Sequence, residues 1–100
     1  SSANQEDHVS MGTIAARGAL SILENAYKII GMEILTACQA LDFRPHKKLG
    51  KGTQIAYDAI RSKINFVKED QIMYYLLNQI FDIIKDESFI NQIEEQIGKL

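Results

Sequence analysis

The run Met11-Gly12-Thr13-Ile14-Ala15-Ala16-Arg17-Gly18-Ala19-Leu20-Ser21-Ile22-Leu23-Glu24-Asn25-Ala26-Tyr27-Lys28-Ile29-Ile30-Gly31 decides the fold. It continues without a proline to Asp42, and its spacing is helical. Arg17, Ser21, Glu24 and Lys28 recur every three or four residues and draw one narrow polar stripe. Met11, Ala15, Ala19, Ile22, Ala26 and Ile29 follow a second line; Ala16, Leu20, Leu23, Tyr27, Ile30, Ile34 and Cys38 follow a third. A helix this apolar around its circumference needs several neighbours. Residues 10–42 are therefore expected to form one long helix, a rod on the order of 45 Å at the usual rise per residue. Gly18 and Gly31 each cost about 1 kcal/mol against alanine inside a helix. Close approach of a neighbour is the expected reason for keeping them. So long a rod has too few partners within 100 residues, so it is expected to be part of a larger helical bundle.

Downstream, Pro45 disfavours helix at Arg44, and the long helix should stop near Asp42. Residues 43–52 read as a loop, with Arg44, His46, Lys47, Lys48 and Lys51 as a basic group. A phosphate-binding loop needs a preceding strand and a set glycine–lysine pattern, and both are missing. A solvated connector is the expectation, with an anion or partner contact as the alternative. Residues 53–100 read as three shorter helices. Gly52 or Thr53 caps the first, with Ile55, Ala56, Ala59, Ile60 and Ile64 inward. Asp70 caps the second, which carries Ile72, Met73, Leu76, Leu77, Ile80, Phe81, Ile83 and Ile84. Ser88 caps the third, with Phe89, Ile90, Ile93 and Ile97 inward. The class is all-α: one long helix followed by three shorter ones.

Composition bounds the function. At 100 residues, 46% hydrophobic and 24% charged, the chain is globular in composition and one domain at most. A net charge of −2 supplies no field to draw it to nucleic acid or an anionic membrane. No apolar run approaches the roughly 20 residues of a membrane span, and the first residues lack the basic-then-apolar pattern of a leader. The single cysteine, Cys38, makes no internal disulfide and is expected as a small buried hydrophobe. A reducing, cytoplasmic setting fits, and no metal site is expected.

The densest chemistry lies ahead of the rod, in Gln5-Glu6-Asp7-His8. One reading is a helix start, with Asp7 accepting a backbone N–H and both carboxylates at the positive end of the dipole. As metal ligands these residues are poorly placed, because consecutive helical side chains diverge by about 100°. The other reading is a carboxylate general base beside an amide that orients a substrate. The residues alone leave both open.

The string Ser2-Ala3-Asn4-Gln5-Glu6-Asp7-His8-Val9-Ser10-Met11-Gly12 resembles the signature of the histidine ammonia-lyases, within the aromatic amino acid lyase family. Ala37-Cys38-Gln39-Ala40-Leu41-Asp42-Phe43-Arg44-Pro45 is similar to the segment that ends the long helix in those enzymes. The resemblance implies a carboxy-terminal piece of a mostly helical homotetramer that converts L-histidine to trans-urocanate and ammonia, with residues 1–12 as an active-site segment. It implies Glu6 as the catalytic carboxylate, also contacting substrate, and Gln5 as a substrate-binding neighbour. The family's methylidene-imidazolone forms from an Ala-Ser-Gly, and that triplet is absent from these 100 residues. The piece alone is therefore expected to be inactive. The alternatives are another aromatic amino acid lyase or aminomutase of the same family, or a non-catalytic helical module that oligomerises through its long helix.

Overall fold

A computed structural model of the chain describes residues 11–45 and 48–100. It contains four helices: α1 (Gly12–Asp42), α2 (Lys51–Arg61), α3 (Met73–Lys85) and α4 (Glu87–Ile97), with no strand among the described residues. The expected class and order, one long helix then three shorter ones, are what the chain adopts. The expected start of the rod at residue 10 lies outside the described residues.

α1 ends where Pro45 requires. Phe43 and Arg44 donate their backbone N–H groups to the carbonyls of Ala40 at 3.2 Å and Leu41 at 3.0 Å, closing the last turn ahead of the proline. The three shorter helices start at other residues than the capping patterns pick out. α2 begins at Lys51, with Gly50 as an extended N-cap whose carbonyl accepts from Gln54 N at 2.8 Å. The first N–H groups of a helix need no partner within it, so Lys51 and Gly52 fit the opening turn without a side-chain cap. Gly52 serves packing instead: a Cβ there would meet Ile97 Cδ1 at 2.9 Å. α3 begins after Ile72 and not at Asp70, since Ile72 itself still has an extended backbone. α4 is capped by Asp86, whose carboxylate accepts from Ser88 N at 3.0 Å. Ser88 thus lies inside the first turn. Asp86 is also the C-cap of α3, so a single residue joins the two helices.

The core is a cluster of Leu35 and Cys38 from α1, Ile60 and Ile64 at the end of α2, Ile80, Ile83 and Ile84 from α3, and Phe89 and Ile93 from α4. Ile60 and Ile80 are 0% exposed, and they mark its centre. α1 lies on α3, α2 on α4, and α3 on α4. The inward stripe of α1 is Tyr27, Gly31, Ile34, Leu35 and Cys38. Of the two interior glycines, Gly31 has the expected close neighbour: a Cβ there would stand 2.7 Å from Phe81 Cδ1. Gly18 faces open space.

Cover runs out toward the start of α1. At 13 residues, α3 is about 20 Å long, while the 31 residues of α1 extend about 46 Å. Ile14, Leu20, Ile22 and Leu23 are all more than half exposed. The radius of gyration is 19.1 Å, against about 13 Å for a compact domain of this length. Ile72, at 72% exposed, and Ile90 and Ile97, at about 40%, also lie further out than their helical spacing implies. Each sits at a helix end or on a face left open by the other helices among the described residues.

Candidate functional site

Gln5 and Glu6, the residues assigned to catalysis and substrate contact, lie outside the described residues, as do Asp7, His8, His46 and Lys47. What the structure describes is the scaffold that follows them: Met11 leads directly into α1, and the core contacts of α1 among the described residues lie along its second half.

The anchor has an apolar and a polar part. The apolar part is the stripe against α3. The polar part lies at the last turn, where Asp42 gathers donors from α2. Tyr57 Oη donates to Asp42 Oδ1. Arg61 Nε donates to Oδ2 at 2.9 Å, and Nη2 stands 2.6 Å from the same oxygen. Arg61 Nη1 donates in turn to the Ile64 carbonyl at 3.0 Å. The Asp42 and Arg61 side chains are only 12% and 13% exposed, so this pair is shielded from the solvent that weakens surface ion pairs. The pairing spans 19 residues and a loop, and the periodicity of neither helix reports it.

A second clasp was equally unforeseen. Gln39 Nε2 donates to the Val67 carbonyl at 2.8 Å, and Val67 N donates to Gln39 Oε1 at 3.1 Å. One side-chain amide thereby pairs with one residue's backbone as a neighbouring strand would. It ties the 62–72 loop to α1. Phe43 and Phe66 meet edge-to-face nearby, with centroids 5.4 Å apart.

Cys38 is buried and free, as expected of a small hydrophobe. Burial pushes its thiol up from the ordinary value, opposed by the nearby Arg61 guanidinium. It therefore stays protonated at neutral pH and is a poor nucleophile. Arg44 and Lys48 are exposed, in keeping with a solvated connector, which is shorter than the expected 43–52 because Lys51 and Gly52 already belong to α2. An open trough of about 370 Å³ between α1 and α3 is walled by Met32, Leu35, Val67, Met73 and Leu77 and carries no titratable side chain. Among the described residues there is no group of three or more His, Cys, Asp or Glu that could hold a metal, and no helix is long and apolar enough to cross a membrane. The described residues thus form a helical frame held by two polar clasps, and Gln5 and Glu6 precede it in sequence.

Comparison with known proteins places this frame. The profile of the family described as aromatic amino acid lyase matches residues 1–62, from the Gln5–Glu6 segment through the Asp42–Arg61 pair. The chain is 49% identical over 100 residues to histidine ammonia-lyase 1 of Fusobacterium nucleatum, covering 99% of this chain and 19% of that protein. It is 48% identical over 97 residues to the histidine ammonia-lyase of Alkaliphilus oremlandii, covering 97% of this chain and 19% of that protein. It is 47% identical over 97 residues to the histidine ammonia-lyase of Streptococcus pyogenes serotype M1, covering 94% of this chain and 19% of that protein. No solved structure matches the chain. The chain spans about a fifth of the length of these curated relatives. Identity near one half over almost the whole chain, with the family match over residues 1–62, has one consequence: the chain belongs to the aromatic amino acid lyase family.

Proposed function

We propose that the full-length protein carrying this chain is a histidine ammonia-lyase, which eliminates ammonia from L-histidine to give trans-urocanate as a cytoplasmic homotetramer. The observation that carries this reading is the near-half identity to relatives named for that activity, extending over almost the whole chain.

Within it, Glu6 is the active-site carboxylate. An ionised carboxylate accepts a hydrogen bond from an imidazole N–H, a contact that a phenyl ring cannot make. A site built to satisfy that N–H discriminates strongly against a substrate lacking it. Glu6 also offers an oxygen able to take up or hold a proton near the substrate Cβ, and Gln5 supplies an adjacent amide contact. A carboxylate alone does not suffice, since the Cβ proton is weakly acidic and the ammonium is a poor leaving group. The family's methylidene-imidazolone supplies the missing electrophile. No Ala-Ser-Gly occurs in these 100 residues, so that chemistry is assigned to another part of the protein.

The test is made on the full-length protein by following urocanate absorbance. Glu6→Gln is expected to lower kcat/KM for L-histidine by roughly 10²- to 10⁴-fold, the usual span for losing a positioned acid or base. Wild-type turnover in that variant would remove Glu6 from the site. Preference of the unmodified enzyme for L-phenylalanine would overturn the substrate assignment. The 100-residue chain alone is expected to form no urocanate.

A further inference from the structure

α3 stops covering α1 at Tyr27: Lys85, the last residue of α3, stands with its Nζ 5.9 Å from the centre of the Tyr27 ring. From Met11 to Asn25 every residue is exposed. The line that sets Tyr27, Ile34 and Cys38 against the core nevertheless continues through Leu23, Leu20 and Ala16. Leu20 is 57% exposed and Leu23 53%. The face that α1 turns to α3 thus runs on, open, for about 21 Å past the end of α3.

Two opposite charges edge this open stretch on one side. Arg17 and Glu24 are seven residues apart, so they repeat one position of a helical heptad, and both are exposed. Neither has an ion-pair partner among the described residues. The other edge holds Ala16, Ala19 and Leu23 and carries no charge. When two copies of a helix pack parallel, each edge meets the opposite edge of its mate; packed antiparallel, it meets the same edge. Parallel copies would therefore set both charges against apolar residues. Antiparallel copies bring Arg17 to Glu24 of the second copy, and two-fold symmetry makes that contact twice. The middle of the charge pair falls between Leu20 and Ser21, about two residues from the middle of the open stretch.

We propose that the open stretch of α1 docks the same stretch of a second copy of the protein, antiparallel and crossing near Leu20, with Arg17 paired to Glu24 of the second copy on both sides of the two-fold axis. The inference deepens the reading of the full-length protein as a homotetramer and rests on it for the identity of the partner. Orientation and register come from α1 itself. Leu20 and Leu23 supply the apolar burial at the crossing, and the charges select the direction, since complementary charges at an interface act more on specificity than on raw affinity.

The experiment is a charge-swap cycle in the full-length protein, using Arg17→Glu, Glu24→Arg and both together, read by sedimentation velocity over a dilution series. Each single swap opposes like charges twice at the contact and is expected to raise its dissociation constant by roughly tenfold or more. The double swap exchanges the partners and should return the constant to within about threefold of wild type. Leu20→Cys, which lies at the crossing, should form a crosslink between subunits on mild oxidation that the unmodified protein lacks. Single swaps that leave assembly unchanged overturn the proposal, as does a double swap as impaired as the two singles combined. A lowered Tm with assembly intact also overturns it, because residues of the same subunit then cover this face. Should the swapped proteins fail to accumulate, the Leu20→Cys crosslink decides: a covalent dimer supports the contact and its absence removes it. A full-length protein that sediments as a monomer removes the homotetramer reading itself, whereas a stable tetramer indifferent to the swaps removes this contact alone.

Discussion

The two halves of α1 share a composition but not an environment. From Tyr27 to Asp42 the helix offers a stripe to α3, closes its last turn on Arg61 and Tyr57, and places Leu35 and Cys38 in the core. From Gly12 to Ala26 the apolar spacing is as regular, yet Ile14, Leu20, Ile22 and Leu23 face outward. The difference is one of reach: α3 is less than half as long as α1. Hydrophobic periodicity specifies that a face is to be covered, and the lengths of the neighbouring elements decide how much of it this chain covers itself.

The largest expected effect separates the halves directly. Leu35→Ala removes a buried side chain and should destabilise the 100-residue chain by about 2–5 kcal/mol in chemical denaturation. Leu20→Ala, in the uncovered half, should change stability by less than about 0.5 kcal/mol when measured at concentrations dilute enough for the chain to be monomeric. Equal costs would mean that the first half is covered after all. Next is Asp42→Ala, which leaves Arg61 partly buried without its carboxylate and should cost about 2–4 kcal/mol. A smaller effect concerns association. The excised chain is expected to sediment as a dimer or larger, and Leu20→Lys with Leu23→Lys should shift it toward monomer. A wild-type chain that is already monomeric at high concentration would contradict that reading of the uncovered half. The smallest effect lies far from α1. The backbone N–H and hydroxyl of Ser88 hold the Asp86 carboxyl below the usual carboxylate range. With the folded value below the unfolded one, the cap's contribution is complete above the ordinary carboxylate range. It is lost as pH falls through the lowered value. Acid titration of wild type and Asp86→Asn should therefore diverge above that range and converge below it.

The sequence was most readable where one residue's covalent chemistry decides the outcome. Pro45 fixes the end of α1, and runs of isoleucine at helical spacing mark the inner faces of α2, α3 and α4. It was less readable where several residues compete for one role. Asp86 and Ser88 both suit an N-cap, and the choice depends on how sharply the chain turns out of α3. Asp70 likewise suits a cap but lies in a loop that Gln39 ties to α1 from 28 residues away in sequence. The Asp42–Tyr57–Arg61 cluster has no local signature, since its members meet only once α1 and α2 have folded back on each other. Gln5 and Glu6 stood out as a cluster of polar groups ahead of a helix, but residue physics left them between a helix start and a base. Only the resemblance to a family separated those readings.

The one-residue junction at Asp86 has a consequence for how this part of the chain tolerates change in length. Connections between helices ordinarily absorb insertions with little penalty. Here the residue that ends α3 also begins α4, so there is no slack to absorb one. A single residue added within the first turn of α4, after Ser88, would advance every later side chain by about 100° around the helix axis. Phe89 and Ile93 would swing out of the core, and the exposed Gln92 would take the inward position that Ile93 holds. The same insertion within 62–72, a connection of ordinary length, would leave both helical registers intact. Viable length variants are therefore expected in that loop and not at the α3–α4 corner, and a library of single-residue insertions scored for soluble folded protein would show it.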